Sequence, residues 1–290
     1  MDIYIQSRGF EQDCDYRWLQ VCEGGSTQPQ LPPIGLEVSN LIDSETPSVV
    51  LERLPDERLL LLVTGIEPEG RVDFLDRPIR IAVAWVGYSA DESVLRHLAV
   101  HALTEAEQNS LTEQINQALP LGGEYGFEII LPSLQRLVSQ DDTKAFTSSQ
   151  PPTLTPKIGR NSPQLRHQLA QELQTCHLPT QTGILMVVTG IKKRESLEKA
   201  GVWRILSTLV EGDDWEEITA QASGWLPNKL GKSADLKNPL MWLTVILSII
   251  SYWLAFVFKL LSSNEQALPE SRRELNVKPR KTGNESREKP

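Results

Sequence analysis

"SVVLERLPDERLLLLVTGI", residues 48–66, holds two apolar runs, 48–54 and 58–66, on either side of Pro55-Asp56-Glu57. Each run is short, rich in valine and leucine, and bounded by residues that favour turns. That pattern predicts two strands joined by a hairpin or sharp turn. Working outward, "IYIQ" (3–6) reads as a short strand and "IRIAVAWVG" (79–87) as a strong one, closed by Gly87. Its isoleucine, valine and tryptophan suit a pleated, buried surface. Two helices follow. Residues 91–103 set Val94, Leu98 and Leu103 near one face, and 104–119 opens on Thr104 and Glu107, the spacing of a capping box. "FEIILPSL" (127–134) is expected to be a strand interrupted by Pro132.

Residues 140–163 are rich in proline, serine and threonine, the composition of a flexible linker. Beyond it come an expected helix at 163–175, a strand at 183–191, a helix around 195–210 and an amphipathic or loop segment, "DWEEITAQASGWL". The fold class is therefore an α/β or α+β body in two subdomains, 1–139 and 164–237, joined by the 140–163 linker. A transmembrane helix at 238–261 and a disordered charged tail at 262–290 complete the expected layout. The two halves share an echo: 59–66 and 184–191 both end in Val-Thr-Gly-Ile. The echo reads as a duplicated strand-and-loop unit, as two strands ending at one cleft, or as a chance match of buried strands that stop at glycine.

The membrane reading rests on Pro239–Phe258, twenty residues without a charge. As a helix that run covers about 30 Å, the thickness of a bilayer's hydrocarbon core. Asn238 supplies a cap, Pro239 suits the first helical position, and Lys259 ends the run. The basic residues flanking it are nearly balanced, so they hardly set its orientation. "MDIYIQSRGFEQDCDYRW" has no basic stretch leading into an apolar core, hence no secretory signal. The expected layout is a tail anchor, with the N-terminal body in the cytoplasm and the tail on the opposite side. Within the span, Thr244, Ser248, Ser251 and Ala255 form a stripe of small or weakly polar residues. Such a stripe serves self-association or docking to another membrane helix, unless each hydroxyl bonds back to its own helix.

The chain carries a net charge of −9. After Ser262 seven basic residues face five acidic ones, a net of +2, which leaves −11 for the rest. An acidic body repels phosphate backbones and disfavours nucleic acid as a main partner. Cys14, Cys22 and Cys176 form no paired framework, as expected in a reducing compartment.

The most suggestive polar stretch is "GRVDFLDRPIRI" (70–81). There Arg71, Asp73, Asp76, Arg77 and Arg80 crowd the connection between two strands. Arginine forks in such a loop hold a carboxylate or phosphate, or else brace the loop as ion pairs. His97 and His101, four apart on a helix, have metal-ligand spacing but neither the glutamate of the zincin pattern nor an apparent third ligand. Cys176-His177 are sequence neighbours, a poor arrangement for a nucleophile and its base. Lys192, Lys193 and Arg194 follow a strand and a glycine as in a phosphate cradle, yet the P-loop spacing is absent. No catalytic residue, metal or cofactor is implied.

"VTGI" with "RVDFLDRPIRIAVAW", over residues 58–86, and "IYIQSRGF" near the N-terminus resemble stretches of uncharacterised bacterial membrane-anchored proteins associated with conflict or stress systems. The resemblance implies no activity. The expected function is that of a membrane-tethered binding or adaptor protein holding a protein partner. Two alternatives stand beside it: a membrane-anchored enzyme or sensor that binds an anionic ligand through the Arg71–Arg80 loop, and a subunit of a complex assembled through the membrane helix.

Overall fold

Ten strands form one mixed sheet in a computed structural model that describes residues 1–42, 46–138 and 150–218. The strands are β1 (Asp2–Ser7), β2 (Arg17–Val21), β3 (Thr27–Pro29), β4 (Ser48–Arg53), β5 (Leu59–Ile66), β6 (Ile81–Gly87), β7 (Lys157–Arg160), β8 (Gly183–Thr189), β9 (Arg204–Ser207) and β10 (Glu216–Glu217). The helices are α1 (Leu36–Leu41), α2 (Glu92–Leu103), α3 (Glu105–Ala118), α4 (Leu131–Leu137), α5 (Pro163–Thr175) and α6 (Arg194–Lys199). Across the sheet the strands run β10-β7-β9-β8-β4-β5-β6-β1-β2-β3.

The 48–66 hairpin forms as expected, with Ser48 opposite Thr64 and Arg53 opposite Leu59. Its turn is tight: the Leu54 amide donates to the Arg58 carbonyl (2.8 Å) and the Glu57 amide to the Leu54 carbonyl (3.0 Å). Glu57 takes a left-handed φ of 66°. A type I turn followed by one left-handed residue is a standard three-residue hairpin connection. The Arg58 guanidinium closes it against Asp56 at 2.7 Å.

All eight residues of β5 and all seven of β6 are buried, because helices cover both sheet faces. On one face Leu51, Leu61, Val83 and Trp85 pack with Leu95 and Leu98 of α2, Ile115 of α3, Leu134 of α4 and Leu169 of α5. On the other, Val50, Leu60, Leu62 and Val187 pack with Val38 and Leu41 of α1 and Leu197 of α6.

Two halves of the sheet differ in kind. From β4 to β3 every pairing is antiparallel. β7, β9 and β8 are parallel, linked through α5 and α6 as β-α-β-α-β, and β8 joins the antiparallel half by pairing with β4. α5 begins where the proline predicts: the Ser162 hydroxyl accepts from the Leu165 amide at 3.3 Å, and Pro163 is the first helical residue.

Three expectations are corrected. Residues 127–134 are not a strand: Phe127 only bridges Leu121, and α4 opens at Leu131 with Pro132 in its first turn, where a missing N–H costs nothing. The helix expected at 195–210 stops at Lys199. Gly201 turns left-handed (φ 65°) and the chain then enters β9. The stretch read as a linker contributes β7, which pairs with β9.

That last stretch is held by Arg204, which is 1% exposed. Its Nε and Nη2 donate to the Glu172 carboxylate, and its Nη1 and Nη2 reach the carbonyls of Thr153, Thr155 and Trp203. The described residues belong to one compact unit, Met1–Pro227. Among them no helix is long and apolar enough to cross a membrane. The span at 238–261 with its Thr244, Ser248, Ser251 and Ala255 stripe, the tail at 262–290 and residues 139–149 lie outside the described residues.

Candidate functional site

β1, β5, β7, β8 and β9 finish at the same edge of the sheet, which gathers the loops carrying most of the polar sequence candidates. The two Val-Thr-Gly-Ile segments also end there, on either side of the start of β4. A Cβ on Gly65 would stand 2.4 Å from the Thr46 carbonyl carbon, and one on Gly190 would stand 3.7 Å from the Thr46 side chain. Gly65, with φ 68°, is therefore required by the chain crossing over it. Above this point a cleft of about 410 Å³ opens between the α2–α3 corner and the start of α5, lined by Pro47, Leu103, Thr104, Gln108, Arg166 and His167.

The 70–80 loop lies at the same edge, in the antiparallel half. Asp73 is 2% exposed and organises it. Its carboxylate accepts from Arg77 Nε (3.0 Å) and Nη2 (2.7 Å), from the amides of Leu75 (2.9 Å) and Arg77 (3.1 Å), and pairs with Arg8 Nη1 at 3.2 Å. The Arg77 guanidinium bond, followed by those amides, holds the Asp73 carboxyl down at about 2. Asp76 takes φ 57° and its amide donates to the Asp73 carbonyl at 3.0 Å, closing the turn.

The five candidate residues thus fall into three settings. Asp73, Arg77 and Asp76 form the turn. Arg80 pairs with Glu67 at 3.5 Å, and its amide donates to the Tyr16 hydroxyl at 3.0 Å. Arg71 turns inward instead. It is 5% exposed, donates from Nη1 to Asn116 Oδ1 at 3.4 Å, and its Nε and Nη2 meet no partner among the described residues. Burial lowers its pKa. A groove of about 660 Å³ beside it is lined by Glu67, Glu69, Asn109, Thr112, Glu113 and Asn116.

Arg8 is the member that sequence inspection missed. It leaves β1 beneath the loop, 8% exposed, with its guanidinium carbon 5.7 Å from the Tyr16 ring centre and 5.9 Å from that of Phe74. The Phe74 amide donates to the Phe10 carbonyl at 2.9 Å. Gly9 presses on Gly126, where a Cβ would come within 2.6 Å of the Gly126 Cα. The only local signal was an arginine directly after a strand, in "IYIQSRGF".

The remaining candidates serve elsewhere. Glu92 receives the Leu178 amide at 2.9 Å and lies 3.2 Å from His177 Nδ1, 3.6 Å from Arg53 Nη2 and 3.8 Å from Arg96 Nη1. Arg96 donates to the Cys176 carbonyl. Cys176 and His177 thus join a strut between α2, β4 and the α5–β8 connection. The His97 and His101 rings lie side by side with centres 4.3 Å apart and planes tilted by 56°. Among the described residues no group of three metal-ligating side chains is assembled. Lys192 gives its carbonyl to the Ser207 hydroxyl (2.5 Å), and Arg194 pairs with Glu198 and Glu216. On the opposite sheet face, burial and then the Glu37 charge raise Glu52 to about 7.

Compared with known protein families, curated proteins and solved structures, the chain matches none of them.

Proposed function

We propose that the protein is a membrane-tethered binding protein that holds a protein partner from the cytoplasmic side. The observation that carries this reading is the charge-free run Pro239–Phe258 placed after an α/β body. The loop network adds support. Arg8 and Arg77 both bond the Asp73 carboxylate, so the loop is a rigid platform suited to presenting a surface. The full chain is expected to sediment with membranes, resist alkaline extraction and leave the pellet only with detergent. Mild detergent should then recover a stoichiometric partner. Full-length protein in the supernatant without detergent removes the tether, and a chain extracted without any partner removes the adaptor role.

A second reading has its own observation. The Nε–Nη2 edge of Arg204 holds the Glu172 carboxylate, whereas the same edge of Arg71 meets no partner among the described residues. A buried guanidinium costs stability unless an anion meets it. Arg71 is therefore the residue through which an anionic small ligand would bind. An anion panel that raises the melting temperature of the full chain, but not of Arg71→Met, supports this reading. No shift across the panel rejects it.

A further inference from the structure

We infer that the loop cluster around Arg8 is the docking surface of the proposed binding function, and that it takes a cationic protein segment with apolar anchors. Phe10 is 53% exposed, Leu75 56%, Tyr16 39% and Phe74 36%. The residues are contiguous: Tyr16 and Phe74 both lie within 6 Å of one guanidinium, and Phe74 is bonded through its backbone to Phe10. Large apolar side chains clustered at an exposed, rigid loop mark a recognition surface, whereas scattered ones do not.

Charge selects the occupant. Glu11, Asp13, Asp15 and Asp76 are exposed in the same two loops and make no ion pair among the described residues. Arg8 and Arg77 share the one Asp73 carboxylate, Arg80 pairs with Glu67 and the exposed Arg17 lies over the Tyr125 ring, so six carboxylates face four arginines and the cluster keeps a net charge of −2. The rim is therefore acidic around an aromatic centre. Such a surface repels anionic lipid and nucleic acid and attracts lysine or arginine. Tyr16 and Phe74 already hold the Arg8 guanidinium from within, and their exposed faces offer a second cation the same ring electrostatics. A partner segment bearing lysine or arginine beside leucine or a comparable side chain satisfies both features.

The test uses the full chain in detergent micelles and three labelled peptides with the same apolar residues, bearing lysine, neutral or glutamate side chains. Fluorescence anisotropy is expected to rank the lysine peptide first and the glutamate peptide last, with the preference shrinking as salt rises. Phe10→Ser with Leu75→Ser should weaken the lysine peptide about tenfold or more while the melting temperature holds. Asp13→Asn with Asp15→Asn should reduce the lysine preference and leave the neutral peptide unchanged. Equal binding of all three peptides, or affinity untouched by either double variant, overturns the inference. The inference rests on the adaptor reading, and the two fail separately. A partner co-purifying equally with the Phe10→Ser/Leu75→Ser chain moves the docking surface elsewhere and leaves the adaptor intact. Failure to recover any partner counts against the adaptor, without altering the peptide ranking.

Discussion

The turns at 54–58 and 73–77 share one backbone design and have opposite surroundings. In each, the first amide donates to the fifth carbonyl (2.8 Å and 2.9 Å) and the fourth amide to the first carbonyl (3.0 Å in both). In each, the fourth residue is left-handed, Glu57 at 66° and Asp76 at 57°. In each, an arginine at the fifth position reaches an aspartate of the turn at 2.7 Å. Yet the Asp56 side chain is 54% exposed and that of Asp73 is 3% exposed. Asp73 also receives Arg8 from a distant strand and carries Phe74 and Leu75 beside it. The same local chemistry makes a plain hairpin end in one place and a braced platform in the other. The long-range partner makes the difference.

The comparison breaks most visibly at the aspartates. Asp73→Ala should lower the melting temperature by on the order of 10 °C, because it strands a buried arginine and removes four further hydrogen bonds. Asp56→Ala, with water at hand, should stay within about 2 °C of the unmodified chain. Acid melts distinguish the sites as well. With its pKa depressed to about 2, Asp73 contributes stability that is present above the unfolded carboxyl range and is lost as pH falls through about 2. The loss should be missing from Asp73→Asn. Next in size, Arg8→Met keeps the apolar stem but leaves Asp73 to Arg77 alone. Denaturant unfolding should show a cost of about 2 kcal/mol, the range for a charged hydrogen bond. The smallest effects belong to the left-handed positions. Glu57→Gly should stabilise by about 0.5–1 kcal/mol by relieving the strain on a residue with a Cβ. Asp76→Gly should gain less in the same assay, since aspartate visits that conformation more readily. If Asp73→Ala and Asp56→Ala melt alike, the brace has no energetic role.

Much of the central architecture was legible because it is local. The 48–66 hairpin, β6, α2 and α5 each carry their periodicity and their punctuation within a dozen or so residues. The misreadings occurred where one residue supports two meanings. Pro132 interrupts a strand or opens a helix, and the neighbouring Ile129-Ile130-Leu131 does not choose. Gly201 sits inside a helical pattern, and only its left-handed turn shows that "RILS" belongs to the sheet. β7 was hidden in a proline-rich stretch because it pairs with β9 and its Ile158 is buried in a cluster with Ile205 of β9 and Leu197 of α6, both later in the chain. At the candidate site the crowding of Arg71 to Arg80 was visible. The partition was not: Arg71 turns inward, Arg80 goes to Glu67, and Arg77 shares Asp73 with Arg8. Pairing between residues 8 and 73 leaves no trace in spacing.

The pairing of β4 with β8 sets a schedule for biosynthesis. Roughly 130 residues separate the end of β4 from the start of β8. At a ribosome's pace that is a delay on the order of ten seconds. Meanwhile the nascent chain has the hairpin and the strands that complete it, but the outer backbone of β4 has no neighbour. An open border of that kind, carrying Val49, Val50 and Leu51, invites another emerging copy to add itself. Crowded translation of this messenger therefore favours intermolecular strand exchange, and a chaperone that shields the hairpin until β8 arrives would suppress it.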